Sequence, residues 1–370
     1  MAGYAIDNAV IQSTRRYEGP RLSGMRPFQA EEGAVLPQVF GAARIAGSMI
    51  WATRFEETRT TRRQGVKGGP KVTEYSYFAN VAFALCEGPV AGVRRVWADG
   101  RELDLTGVDM RVYTGAEDQL PDPLVEARQG TGNAPAYRGT AYVVFERLAL
   151  DGFGNRVPQL QFEVLAPAGT FHEEIRAVTL IPGATEYGLS PSLVTRDVRA
   201  GERETLNRHV LHGESDFTAA LDELQALCPN LRHVALVVPW FASDLRAGHC
   251  RIEPCVTETA LASTSLAWSV AGIGRLQARQ VSRVDGRAAY GGTPADATVI
   301  EAIRDLGARG LKVAFYPFLL MDIPAGNGLY RCLRCAAGNC RRSPGRWRVP
   351  AAPNRRARDA GRRWDLAQSA

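Results

Sequence analysis

Lysine is almost absent from this chain. Only Lys67, Lys71 and Lys312 occur, against 42 arginines. That ratio reflects a GC-rich coding bias and says little about partners. No run approaches the eighteen or so apolar residues that a membrane helix needs, so no membrane span is expected. The opening stretch, MAGYAIDNAVIQSTRR, lacks a basic segment followed by an apolar one, which argues against a secretory signal. No Gly-x-Gly-x-x-Gly or phosphate loop follows a strand-like run, so nucleotide use is not expected. Seven cysteines are present, but their spacing does not form a disulfide framework. Cys86 and Cys228 sit in apolar or mixed segments and read as buried thiols. Cys250 and Cys255 flank a short RIEP turn and could face each other. Cys332, Cys335 and Cys340 supply one Cys-x-x-Cys half-motif with no second pair and no nearby His, so neither a metal nor any other cofactor is expected. His209 and His212 lack a third ligand and read as surface or half-buried polar residues.

What is present divides unevenly. Residues 331–370 contain eleven Arg, no Lys and two acids, Asp359 and Asp365, a net charge of +9. The whole chain carries +6, which leaves residues 1–330 at −3, the balance of an ordinary globular protein. The pI near 9.0 therefore belongs to the tail and does not point to a nucleic-acid surface. The tail has neither periodicity nor aromatic spacing, so disorder is expected from 329 to 370, with no specific nucleic-acid site.

Residues 1–168 read as β-rich. A polar arm (1–20) precedes QVFGAARIAGSMIWATRFEE, which reads as two strands joined through glycine. TRTTRRQGVKGGPKV (58–72) reads as a basic hairpin tip or loop. An apolar strand then runs to Gly88-Pro89. GVRRVWADGREL has the signature of a hairpin whose turn, Ala98-Asp99-Gly100, can take positive φ. YRGTAYVVFERLAL and VPQLQFEVLAP add two strands. After Pro167-Ala168-Gly169 the pattern changes. IRAVTLIP (175–182) is a short strand. DFTAALDELQALCPN is an amphipathic helix with Leu221, Leu224 and Leu227 on one face. RHVALVVPWF (232–241) is a strand buried on both faces. TPADATVIEAIRDLGARG is a helix carrying Val299, Ile300, Ile303 and Leu306. LKVAFYPFLL (311–320) is a second buried strand. Helices that precede buried strands imply a βα repeat and a parallel sheet.

The segments GARIAGSMIWATRF, YFANVAFALCEGPVAGVRRVWADGREL and YRGTAYVVFERLALDGFGNRVPQLQFEV resemble the N-terminal hub region of tail-tip and host-specificity proteins of long-tailed phages. They resemble above all the large baseplate protein of gene transfer agents. Residues 215–328, and the run from Gly291 to Gly328 most specifically, resemble the TIM-barrel-like domain inserted in that protein. The resemblance covers roughly residues 20–328. It implies a multidomain chain. A β-rich hub domain (1–168) is followed by an incomplete (β/α)8 TIM-barrel-like domain (169–328) and the Arg-rich tail (329–370). The family continues past this point in a different sequence, so a reading-frame shift near Leu329 is expected, and the tail reads as out of frame.

The functional expectation that follows is a structural part of a phage-like particle at its tail tip, made in the bacterial cytoplasm. Its partners would be other tail and baseplate proteins and copies of itself in a ring. The alternative is a hydrolase acting on a cell-envelope glycan, inactive in this truncated form. Barrel chemistry sits where strands end at the C-terminal face. Glu186 and Tyr187 follow the strand at 175–182, Trp240 and Asp244 end the strand at 232–241, and Asp322 follows the strand at 311–320. Acids and an aromatic platform suit a sugar site, with Asp244, Asp322 and Glu186 as catalytic candidates and Trp240 and Tyr187 as substrate-binding ones. The structural reading is favoured over the sugar site: Trp240 is core, Asp244 a cap and Asp322 a structural acid, because fold analogy alone does not establish a site.

Overall fold

The computed structural model describes residues 16–18, 35–63 and 71–322, apart from 184, 200, 245, 246 and 262. The expected arm apart from residues 16–18, positions 64–70 of the basic hairpin tip, the cysteines beyond 330 and the Arg-rich tail lie outside them. The chain divides into two compact units. The first comprises 1–175, 210–214 and 218–230, and the second 176–209, 215–217 and 231–370.

The first unit is built from two sheets. One contains β1 (Arg16–Glu18), β3 (Ser48–Ala52), β4 (Glu56–Arg63), β5 (Lys71–Glu87), β8 (Asp109–Tyr113) and β9 (Thr140–Ala149). The other runs in the order β2 (Gly41–Ala46), β10 (Leu160–Ala166), β6 (Gly92–Ala98), β7 (Arg101–Glu102). Phe83 and Phe145 of the first sheet meet Phe162 of the second at ring separations of 5.9 and 6.2 Å, which places the main core between the sheets. The other face of the first sheet is also covered. Tyr142, Ala82 and Val144 pack against Trp51, Tyr113, Tyr137 and Leu124 of α1 (Pro123–Gln129). Burial on both faces explains why β5 and β9 are apolar without alternation.

Gly47 is the corner where the chain leaves β2 in one sheet and enters β3 in the other. A Cβ there would lie 2.5 Å from Phe162 Cε2 and 3.1 Å from Phe83 Cβ, so the two sheets close over a position that only glycine fits. The expected hairpin turn is present, with Asp99 at φ 49° and Gly100 at φ 83°. Asp99 fixes it further by accepting from Gln159 N (3.0 Å) and Arg156 Nη2 (2.8 Å), and the Arg156 contact holds its carboxyl below the ordinary range. Of the segment 58–72, Thr58 to Arg63 and Lys71–Val72 pair as a β4–β5 ladder, the hairpin form of the sequence expectation.

A β-bulge between Phe162 and Val164 sets two residues of β6, Arg94 and Arg95, against the single residue Glu163 of β10. Both guanidinium groups therefore reach one carboxylate: Arg94 at 2.8 Å and Arg95 at 2.7 Å. Arg94 also bonds Glu223 of α3 (Asp216–Leu227) at 3.0 Å. The hydrogen bonds from these two arginines hold the Glu163 pKa down at about 2. On β8, Arg111 and Tyr113 bind the buried Asp122 at 2.8 and 2.7 Å. Asp122 in turn caps α1 through Leu124 N and Val125 N, with Pro123 as the first helical residue.

The second unit holds the parallel sheet. β11 (Ala177–Leu180) pairs in parallel with β14 (His233–Ala242), and β14 with β22 (Lys312–Met321) through all ten residues. β15 (Ile252–Glu253) adds an antiparallel end to β14. The remaining strands form short two-stranded ribbons: β12 (Thr195–Arg199) with β13 (Glu202–Thr205), β16 (Cys255–Val256) with β19 (Arg279–Gln280), β17 (Ser269–Val270) with β18 (Ile273–Gly274), and β20 (Arg283–Val284) with β21 (Arg287–Ala288). The α2 turn (Phe171–Glu174) falls in the first unit, and α4 (Asp296–Ala308) in the second.

The described residues are β-rich, as expected, but the parallel sheet does not close and does not support the TIM-barrel-like expectation. Two further expectations change here. Most of α3, expected as a barrel helix, clusters with the first unit. β22, expected to be buried, is exposed along most of its length. Pro317 carries the physical reason. Lys312 N donates to Arg232 O and Asp322 N to Ala242 O, so even-numbered amides of β22 face β14 and odd-numbered ones face outward. Proline has no amide hydrogen, and position 317 is on the outward side, where a sheet edge tolerates it. Pro239 of β14 obeys the same rule. Its nitrogen faces the gap between β11, which pairs with 233–236, and β15, which pairs with 241–242. On α4 the buried stripe is Thr298, Val299, Ala302 and Leu306, while Ile300 and Ile303 are 48% and 36% exposed.

Candidate functional site

The sequence-derived candidates gather around the C-terminal ends of β14 and β22, but they do not converge on one cleft. Glu186 is 3% exposed. Its Oε1 accepts from Thr257 N at 2.6 Å and Thr257 Oγ1 at 2.8 Å, with Arg275 Nη1 at 3.5 Å. Gly292, at φ +79°, closes the other side, since a Cβ there would sit 2.8 Å from Glu186 Cγ. Thr293 completes the clasp: its N donates to Cys255 O, its Oγ1 accepts from Cys255 N, and its carbonyl accepts from Trp268 Nε1. The Gly-Gly-Thr-Pro run that opens α4 thus binds the Glu186 and Cys255 segments together.

Tyr187 is fully buried. Its hydroxyl lies 3.1 Å from Leu266 O and 3.2 Å from Arg275 Nη2. Trp240 packs against the same cluster, which also contains Trp268, Val256 and Val270. Both expected sugar-stacking rings therefore lie in a hydrophobic cluster. Asp322 is also fully buried. Its Oδ2 accepts from Arg279 Nη1 at 2.8 Å and Ser282 N at 3.0 Å, and Arg279 reaches on to Glu253 at 2.6 Å. Oδ1 of Asp322 and Nη2 of Arg279 have no hydrogen-bond partner. Register separates the two ends of this set. Phe241 pairs with Leu320 and Ala242 with Met321, so Asp322 continues the Phe241 face while Trp240 lies on the opposite one. Side-chain packing agrees, with Phe241 and Leu320 in a cluster with Cys255, Val281 and Tyr290. Asp244 is half-buried in the loop after β14.

Cys255 is buried and its thiol is pushed up to about 12 by burial, which makes it a poor nucleophile. Cys250 and Cys255 are both free thiols. His209 bonds Asp216 at 2.6 Å, whereas His212 belongs to the first unit, where burial pushes its pKa down. No group of three or more His, Cys, Asp or Glu side chains suited to a metal ion occurs among the described residues. No helix among them is long and apolar enough to cross a membrane. Sequence reasoning missed Arg279, Arg275, Thr257 and Thr293. They lie on a two-residue strand, a single 3-10 turn or loops, which carry no periodic signal, and only the Gly-Gly-Thr-Pro run marked the place.

No protein-family model matches the chain, and no curated protein matches it. Among solved structures it is similar to a chain from a "Virion of native gene transfer agent (GTA) particle". The identity is 25%, the match covers 83% of this chain and 80% of that one, and the TM-score is 0.34.

Proposed function

We propose that this chain is a structural component of a phage-like tail tip or baseplate, of the gene transfer agent kind, contributing to host attachment or DNA delivery. The supporting observation is where the resembling segments fall. GARIAGSMIWATRF supplies β2 and β3, YFANVAFALCEGPVAGVRRVWADGREL supplies most of β5 with β6 and β7, and YRGTAYVVFERLALDGFGNRVPQLQFEV supplies β9 and β10. These are the strands that build both sheets of the first unit and its inter-sheet core. The resemblance thus rests on the residues that make the architecture. On this reading the first unit assembles with other tail proteins and with copies of itself. The open parallel sheet of the second unit is the start of a TIM-barrel-like insertion.

The rival reading is a cell-envelope glycan hydrolase. It draws on Asp322, an acid at the end of a parallel strand with one unsatisfied oxygen. Against it, Glu186 and Asp322 are enclosed by their own partners, and Trp240 lies across the sheet from Asp322. A tag on the chromosomal copy tests the structural reading. Purified particles should carry the tag at one end of the tail in electron micrographs, and its absence from intact particles would sink the idea. Measurable release of peptidoglycan fragments, lost in Asp322→Asn, would favour the rival.

A further inference from the structure

Residues 210–214 and 218–230 cluster with the first unit, although the chain on either side of them belongs to the second. They form a strap on the first unit, tied down at points along its length. Leu105 N donates to Leu211 O at 2.8 Å, Arg94 Nη1 to Glu223 Oε1 at 3.0 Å, and Asn230 Nδ2 to Glu173 O at 2.8 Å. Gly213 is pressed against α3, since a Cβ there would lie 2.7 Å from Ala219 Cβ.

At the head of the strap His212 is half-buried, and its Nδ1 is fully buried without a hydrogen-bond partner. A neutral ring can carry its one hydrogen on Nε2 and leave a lone pair at Nδ1. The imidazolium has no such choice, because both of its nitrogens are donors. Protonation therefore turns a charged N–H towards the interior with no acceptor, and an unpaired buried charge costs more than an unpaired neutral group. We infer that His212 is an acid-sensitive latch, whose protonation loosens the strap from β6 and β7.

The charges around the ring come from several elements. Glu102 lies on β7, Glu223 on α3, and Arg94 and Arg95 on β6. The two arginines share Glu163 of β10, which neutralises part of their charge. Asp104, in the loop after β7, is exposed and accepts from Thr106 N at 2.9 Å. Glu214, the nearest acid along the strap, is exposed as well. Burial lowers the His212 pKa from its ordinary 6.5 and outweighs Glu102 and Glu223, which favour the imidazolium. A released strap gives the ring back its ordinary value. Docking is thus at full strength above about pH 6.5 and weakens as pH falls through that value towards the lowered one. Glu163, held at about 2, titrates far below this window, so the two acid effects separate. The inference rests on the first unit alone and is independent of any tail-tip role.

Amide hydrogen exchange in the full chain tests it, with protection factors referred to the unstructured rate at each pH. The Leu105 amide reports the strap, because its acceptor is Leu211 O. Amides 142–145 of β9 report the core. Between about pH 7.5 and about pH 5.5, protection at Leu105 should fall severalfold while the β9 amides hold. His212→Leu cannot titrate and should abolish the fall. His212→Asn, which keeps a neutral polar group, should do the same. Glu102→Gln removes an acid that favours the imidazolium and should deepen the fall. Protection at Leu105 that holds or rises on acidification, as it would if the imidazolium turned to pair with Glu102 or Glu223, overturns the inference. An equal fall in His212→Leu and His212→Asn overturns it too.

Discussion

Two ten-residue strands of this molecule look alike in sequence and differ completely in environment. β9 reads TAYVVFERLA and β22 reads KVAFYPFLLM. In β9, Ala141 through Phe145 are at most 1% exposed. In β22, residues 315, 316, 318 and 319 are 40–54% exposed. The difference lies in the neighbours. β9 is hydrogen-bonded on both edges, by β5 and β8, and its sheet is covered on both faces. Among the described residues β22 is bonded on one edge. Apolar content thus marks a strand as able to be buried. Whether it is buried depends on pairings that are non-local.

Substitutions should separate the two regions in order of size. The largest effect is expected at the inter-sheet core. Phe162→Ala removes the ring that meets Phe83 and Phe145 and should cost about 3–5 kcal/mol, read from denaturant midpoints at constant slope. Phe318→Ala in β22 should cost well under about 1 kcal/mol by the same measurement, because that ring is already wet. Equal losses at the two sites would remove the contrast.

Next comes the Glu163 pair of arginines. Its carboxyl is depressed from 4.5 to about 2, so the folded state prefers the ionised form. That stability is fully present above about pH 4.5 and is lost as pH falls towards 2, by at most about 3 kcal/mol at 1.36 kcal/mol per unit. Glu163→Gln should flatten this part of the acid-unfolding curve, and an unchanged curve would show that the bulge pairing contributes nothing. A smaller effect, about 1–2 kcal/mol, is expected for Asp122→Ala, which removes the α1 cap together with the Arg111 and Tyr113 contacts. The smallest is expected at Ile303→Ser on the exposed side of α4, within about 0.5 kcal/mol.

Much of the local structure was legible in the sequence. The Asp99-Gly100 turn, the helices near 216–227 and 296–308, and the strand near 233–242 follow from turn chemistry and apolar spacing. What failed was everything that depends on partners. Pro317 in the middle of an apolar run was the available sign of an edge strand, and it was outweighed by the run itself. On α4, Ile300 and Ile303 fit a helical stripe as well as Thr298 and Ala302 do, yet the buried stripe is Thr298, Val299, Ala302 and Leu306. The site suffered most. Glu186 and Asp322 were visible as acids at strand ends, yet the groups that enclose them come from 71 residues away or from a two-residue strand. The opposite facing of Trp240 and Asp322 follows from a β14–β22 register that periodicity does not reveal.

The open edge of β22 is tested most directly by residue-resolved amide hydrogen exchange on the dilute full chain. In β22 the even-numbered amides at 314, 316, 318 and 320 should exchange slowly, and those at 313, 315, 319 and 321 rapidly. Slow exchange of both sets would contradict the claim, because it would mean that the chain already covers this edge by itself.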